Sequence, residues 1–255
     1  MELAYDFPVE TQQLYTADGK KANRVAVVRT DTNEILSTVS ESYRLVHHRE
    51  IFDLANDYMN KIGKPTVKYH MVNNGAKIVG EYTFKEIYED VKKGDTVGLR
   101  LYFVNSYDTS CSISTSIGGL RLVCTNGMVV RGAEYNTRYR HSSSFIENGK
   151  LINVELPKPE NVILSFKNGF EDWRRFSQIN LDNDAVEAYR QRAIDDGVIS
   201  STIEKKAPDL EEQTAWGLYN NFTWYITHAE KSTASQLGKM TRYNKVANWF
   251  NEVFV

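Results

Sequence analysis

Apolar and polar positions change their rhythm near the middle of the chain. Two short apolar runs, Arg24 to Arg29 and Ile35 to Val39, flank the turn residues Asp31-Thr32-Asn33, a spacing that predicts two antiparallel strands. Residues 1 to 23 are polar and read as irregular, with a turn at Asp18-Gly19. Ile51, Leu54, Ala55, Tyr58 and Ile62 then recur three and four apart, describing an amphipathic helix over 48–62 that stops at Gly63 and Pro65. Strand patterning returns at Thr66. Ile78, Gly80, Tyr82 and Phe84 alternate with Lys77, Val79, Glu81 and Thr83, as expected for one buried and one more polar face. Past the turn Lys93-Gly94-Asp95, Val97, Leu99, Leu101 and Phe103 share one face, and Gly98, Arg100 and Tyr102 the other. Residues 110 to 117 carry serine at every even position, a strand with a hydroxyl stripe. Gly118-Gly119 reads as a turn into Leu120–Cys124, closed in its turn by Thr125-Asn126-Gly127.

Beyond Pro157 and Pro159 the period is helical. Ile163, Phe166, Phe170 and Trp173 fall on one face, and Asp182-Asn183 caps a helix with Val186, Tyr189 and Ala193. Leu218, Phe222, Tyr225 and Ala229 mark another helix, and Met240, Tyr243, Ala247, Phe250 and Phe254 the last. Polar residues 195 to 210 separate these pairs as a loop or a lobe boundary. The expected fold class is α+β: an antiparallel β-rich region over 1–156 with the helix 48–62, and a helical region over 157–255 packed on it as one continuous domain.

Composition narrows the class. At 255 residues, 41% hydrophobic and 25% charged, collagen-like, coiled-coil and wholly disordered chains are excluded. The charge of −2, from 31 Lys plus Arg against 33 Asp plus Glu, excludes a uniformly basic coat. Cys111 and Cys124 cannot form a disulfide framework and belong to no Cys-x-x-Cys pair. No run approaches 18 apolar residues, and the acidic start Met1-Glu2-Leu3-Ala4-Tyr5-Asp6 lacks a signal pattern, so no membrane contact and a cytoplasmic location are expected.

Templates for catalysis are missing: there is no phosphate-binding Gly-rich loop ending in Gly-Lys-Ser/Thr, no Gly-x-Gly-x-x-Gly, no His-Glu-x-x-His and no Gly-x-Ser-x-Gly. No catalytic residue, metal ligand or cofactor is assigned. His47-His48 could ligate a metal, but at a helix start beside Arg49 and Glu50 they read as exposed or capping. Cys124, His141 and Asp108 could be written as a thiol triad, yet Cys124 ends an apolar strand and reads as a buried thiol. Asp90, Asp95, Asp108 and Glu81 could serve a metal-dependent nuclease, although no ordered motif selects them.

The segment from Arg131 to His141 interleaves arginines with tyrosines. Guanidinium groups fork onto phosphate oxygens, and tyrosine rings offer a face to unstacked bases. Residues 100–150 hold six basic and three acidic residues, a net of +3 set against −5 in the remainder. This predicts nucleic-acid binding in which Arg131, Arg138 and Arg140 contact phosphates, Tyr135 and Tyr139 stack on bases, and Arg100 and Arg121 line the adjoining sheet. The alternative is a solvated loop whose arginines pair with nearby carboxylates. Residues 216 to 228, rich in aromatics on more than one face, read as packed core or as an interface.

Several strings resemble one family. Val28-Arg29-Thr30-Asp31-Thr32 through Tyr43-Arg44-Leu45-Val46-His47, then Asn105-Ser106-Tyr107-Asp108-Thr109-Ser110, then Leu120-Arg121-Leu122-Val123-Cys124-Thr125-Asn126-Gly127-Met128, and finally Asn220–His228 are similar, in this order, to the phage and plasmid family of the domain of unknown function number 932. Tyr107 departs from it, standing where many members carry histidine. The resemblance implies a mobile-element origin and the company of phage DNA-metabolism genes, with no activity to carry over. The resulting expectation is a non-catalytic phage protein that binds single-stranded DNA or other nucleic acid, as a homo-oligomer supporting annealing or recombination. The alternative is an interaction module that engages or inhibits a host protein through the aromatic helical half.

Overall fold

The computed structural model describes residues 5–121, 127–129, 137–229 and 236–255. The fold is α+β, with strands in the N-terminal half and helices in the C-terminal half. A small antiparallel sheet comes first, from β1 (Val9–Tyr15), β2 (Lys21–Arg29) and β3 (Glu34–Ser40). After α1 (His48–Ile62) follow β4 (Thr66–Val72), β5 (Lys77–Lys92), β6 (Asp95–Ser106), β7 (Ile113–Arg121) and β8 (Gly127–Val129). Among the described residues these form a sheet of order β4-β5-β6-β7-β8, with β9 (Arg138–Tyr139) also paired to β7. A two-strand ladder, β10 (Ile146–Glu147) and β11 (Lys150–Leu151), precedes the helices. The chain gathers into two compact units, residues 1–82, 101–116 and 135–159 in the first, and 83–100, 117–134 and 160–255 in the second. It passes from one to the other inside β5, β6 and β7.

In the first unit, β1 corrects the expectation of an irregular N-terminus. Only Val9 of that strand is buried, while Glu10, Thr11 and Gln12 face solvent, so an edge strand held by its backbone ladder leaves no apolar alternation to read. The helix forms where its period placed it. Ile51, Phe52, Ala55, Tyr58, Met59 and Ile62 are buried on one stripe. Beside them Asn56 ties three phenols together, donating to the Tyr5 hydroxyl at 3.0 Å and accepting from Tyr69 at 2.8 Å and Tyr82 at 2.9 Å.

The second unit carries α2 (Pro159–Asn168), α3 (Phe170–Gln178), α4 (Asn183–Asp195), the short α5 (Ile203–Lys206), α6 (Ala215–Trp224) continued by a π-helical turn at Tyr225–Ala229, and α7 (Gln236–Phe254). The Asp182 carboxylate caps α4 by accepting from the Ala185 amide at 2.8 Å. The single helix expected through Trp173 is broken at Gly169, but its rings keep one face: Phe166 meets Phe170 at 5.0 Å and Phe170 meets Trp173 at 4.9 Å. Gly118-Gly119 is likewise no turn and lies within β7. A Cβ on Gly119 would stand 2.7 Å from Val97 and 3.1 Å from Trp173, so this glycine allows close packing in a strand. Leu122 to Asn126, where the next turn was expected, lie outside the described residues.

The alternation expected of β5 and β6 also understates their burial. Val79 and Glu81 of β5, and Arg100 and Tyr102 of β6, are buried along with the residues of the apolar set. Both faces are covered along β6 and along β5 from Ile78 to Phe84, whereas Lys85, Glu86, Tyr88 and Asp90 of β5 are exposed.

Candidate functional site

In the first unit two of the family-like strings, 28–47 and 105–110, meet at the start of α1. The Tyr43 hydroxyl donates to the Ser106 carbonyl at 3.2 Å, and the Ser37 hydroxyl to the Tyr107 carbonyl at 2.7 Å. Tyr107 in turn accepts the His48 amide on its hydroxyl at 2.7 Å. His48 is fully buried, correcting the expectation of an exposed or capping residue; His47 takes the exposed N-cap position. The His48 imidazole donates from Nε2 to the Gly75 carbonyl at 2.8 Å and accepts at Nδ1 from Asn105 at 3.0 Å. These partners fix one neutral tautomer, and burial pushes its pKa down to about 3. A neutral ring with both nitrogens engaged positions the start of α1 and has no lone pair left for a metal.

Residues 137–141 of the Arg/Tyr segment lie in the same unit. Thr137 anchors it to β7, its carbonyl accepting from the Thr115 amide at 3.1 Å and its hydroxyl 2.7 Å from that of Thr115. Strand alternation then sorts the following side chains by face. Arg138 and Arg140 are exposed, whereas Tyr139 is half-buried, donating to the Glu155 carbonyl at 2.7 Å with its ring 5.2 Å from Phe145. His141 stacks on Tyr43 at 4.8 Å, nearly parallel, and donates from Nδ1 to the Arg44 carbonyl at 3.2 Å. The Arg44 amide reaches back to the His141 carbonyl, also at 3.2 Å. This lacing brings a third exposed arginine, Arg44, to the segment. It escaped notice in the sequence because ninety-four residues of chain separate it from Arg138. Among the described residues none of the three guanidinium groups has an ion-pair or hydrogen-bond partner. Burial lowers the His141 pKa to about 4, so the stacked pair is neutral at ordinary pH. Arg131 and Tyr135 lie outside the described residues.

Arg121 and Arg100 belong to the second unit and are buried there, 6% and 8% exposed. Arg121 forks onto Asp95, Nε to Oδ1 at 2.5 Å and Nη2 to Oδ2 at 2.8 Å, and also reaches Glu211 at 2.8 Å. The indole of Trp216 donates to Asp95 Oδ2 at 2.7 Å. The cavity beside Arg121 holds about 20 Å³, room for about one water. A guanidinium so held supports the unit and presents no fork to a phosphate.

Nearby, the last two family-like strings meet. The Gly127 amide donates to the Thr227 hydroxyl at 3.3 Å, and that hydroxyl lies 2.7 Å from the Tyr243 phenol. The aromatic stretch proves to be core: Trp216, Tyr219 and Phe222 are buried, with Tyr219 edge-on to Phe250 at 5.0 Å.

The carboxylates considered for metal chemistry each have partners of their own, Arg121 and Trp216 in the case of Asp95. Glu81 pairs with His70 at 3.0 Å, Asp90 accepts from Thr96 at 2.6 Å, and Asp108 accepts the Ser110 amide at 2.9 Å. Among the described residues no group of three His, Cys, Asp or Glu could hold a metal ion. A groove of about 550 Å³ at the start of α1 is lined by Asp6, Glu50 and Asp53 against Arg49 and Lys150. Arg49 is already bonded to Asp6 at 3.1 Å and lies 3.5 Å from Asp53, so this groove does not favour an anion.

No described helix is long and apolar enough to cross a membrane. Residues 35–249 match the family described as Domain of unknown function (DUF932). No curated protein and no solved structure matches the chain.

Proposed function

The chain belongs to the DUF932 family, and from that premise we propose that it is a non-catalytic protein that binds single-stranded nucleic acid along Arg44, Arg138 and Arg140. One observation carries the reading: three exposed guanidinium groups on two laced segments, none of them paired within the described residues. An isolated exposed arginine gains little from a carboxylate neighbour, but several unpaired ones together lower the cost of bringing phosphates close. Arg138 lies in β9 and Arg140 one residue past its end, so their Cα atoms are at most about 7 Å apart. A flexible single strand can adjust successive phosphates to that spacing without fitting the fixed curvature of a duplex. The phage origin implied by the family resemblance belongs to this proposal, as do an annealing or recombination role and assembly of several copies. The competing host-protein reading loses its main support, since Trp216, Tyr219 and Phe222 are spent on the core.

Filter binding of single- and double-stranded oligonucleotides at low salt tests it. With three phosphate contacts on a single strand, log K should fall with log salt at a slope of about −2, and affinity should lie at about 10⁻⁴ to 10⁻⁶ M. Arg138→Ala with Arg140→Ala should weaken binding and flatten the slope by about 0.7 per arginine. Absence of binding by folded protein overturns the proposal.

A further inference from the structure

We infer that this strip recognises the sugar-phosphate backbone alone and is blind to the bases. The inference rests on the nucleic-acid reading above and specifies which part of the strand is its ligand. Interleaving Tyr with Arg suggests a site that grips phosphates and stacks bases at once, but in an extended segment neighbouring side chains point to opposite faces. Arg138 and Arg140 take the outer face. Tyr139 takes the inner one, fixed at its hydroxyl by the Glu155 carbonyl and at its ring by Phe145. The other two rings beside the arginines are committed to each other. Tyr43 and His141 are stacked at 12° between planes, the Tyr43 hydroxyl is bonded to the Ser106 carbonyl, and the His141 Nδ1–H to the Arg44 carbonyl. Opening that stack to admit a base would break these bonds and uncover a half-buried imidazole. Among the described residues beside Arg44, Arg138 and Arg140, each of these three rings is therefore held against another ring, and the guanidinium groups alone stand without a partner.

The chemical class follows: a linear phosphodiester, with base identity and sugar type contributing little. Fluorescence anisotropy at 50 mM salt can compare labelled oligothymidylate with an abasic deoxyribose-phosphate strand of equal length, each with the wild-type protein and with the Arg138→Ala/Arg140→Ala variant. The expected result is abasic affinity within about twofold of oligothymidylate, and parallel loss of both in the variant. A stacked base would instead make the abasic strand weaker by roughly five- to 150-fold for each base lost, and an abasic deficit of fivefold or more overturns this inference while leaving the nucleic-acid reading intact. Failure of both strands to bind, or equal binding that the variant retains, overturns the reading itself.

Discussion

Two sets of arginines in this molecule share one chemistry and are put to opposite uses. Arg121, in the second unit, is buried, forked onto Asp95 and in contact with Glu211. Arg138 and Arg140, in the first, are exposed and meet no carboxylate among the described residues. A guanidinium taken out of water must be compensated on the spot, so Arg121 is fixed by its partners and belongs to the fold. One left in water costs the fold nothing and stays available to an outside anion. Local charge counts treat all of these residues alike; burial separates them.

The largest effect should come from breaking the buried set. Asp95→Ala leaves the Arg121 charge without its fork and should cost about 3–5 kcal/mol in urea unfolding. Asp95→Leu combined with Arg121→Met should recover most of that loss. A cost below about 1 kcal/mol for the single variant would place Arg121 with the dispensable arginines and erase the contrast.

Acid should strike the first unit next. His48 has a folded pKa near 3 against about 6.5 for an ordinary histidine, so between these values the unfolded chain binds the proton and the folded one does not. The contribution is complete above pH 6.5 and is lost as pH falls towards 3. His141, lowered to about 4, adds in the same direction. Urea midpoints recorded from pH 7 to pH 4 should fall, by the equivalent of a few kcal/mol at most, and His48→Gln should show a shallower decline. A flat profile in the wild type would remove the buried imidazole from the account.

Gly127→Ala probes packing around the second unit's strings. Its Cβ would lie 2.8–2.9 Å from the Tyr243 ring atoms, and overpacking of this kind costs about 1–3 kcal/mol. Adding Tyr243→Leu should relieve part of it, and a thermal melt of both variants is sufficient to see the difference.

Smallest of all should be the stability effect of Arg138→Ala with Arg140→Ala, within about 0.5 kcal/mol of wild type. The same variant should show the greatest loss of oligonucleotide binding. A protein that instead unfolds would show that these side chains serve the fold, as Arg121 does.

Local regularities were legible in the sequence to the extent that a period reported burial. The 48–62 helix and the Asp182 cap emerged where spacing and cap chemistry placed them. Strand β1 did not, because its exposed edge carries polar residues on both faces. Gly118-Gly119 misled for a different reason: a glycine pair signals a turn or a close approach with the same letters, and only Val97, Met128 and Trp173 decide between them. The candidate site was half visible. The period of two that separates Arg138 and Arg140 from Tyr139 was present in the letters, whereas Arg44 and the Asp95 partnership depend on pairings 97, 26 and 121 residues apart.

That last separation has a consequence for synthesis. Asp95 leaves the ribosome 121 residues before the indole that donates to it, roughly 6 to 24 s earlier at ordinary elongation rates. Arg121 arrives after only 26. The nascent chain can therefore form its charge pair early, but the carboxylate keeps water on Oδ2 until Trp216 has been translated. Completion of this buried centre is thus a late event, set by the pace of translation through the helical half.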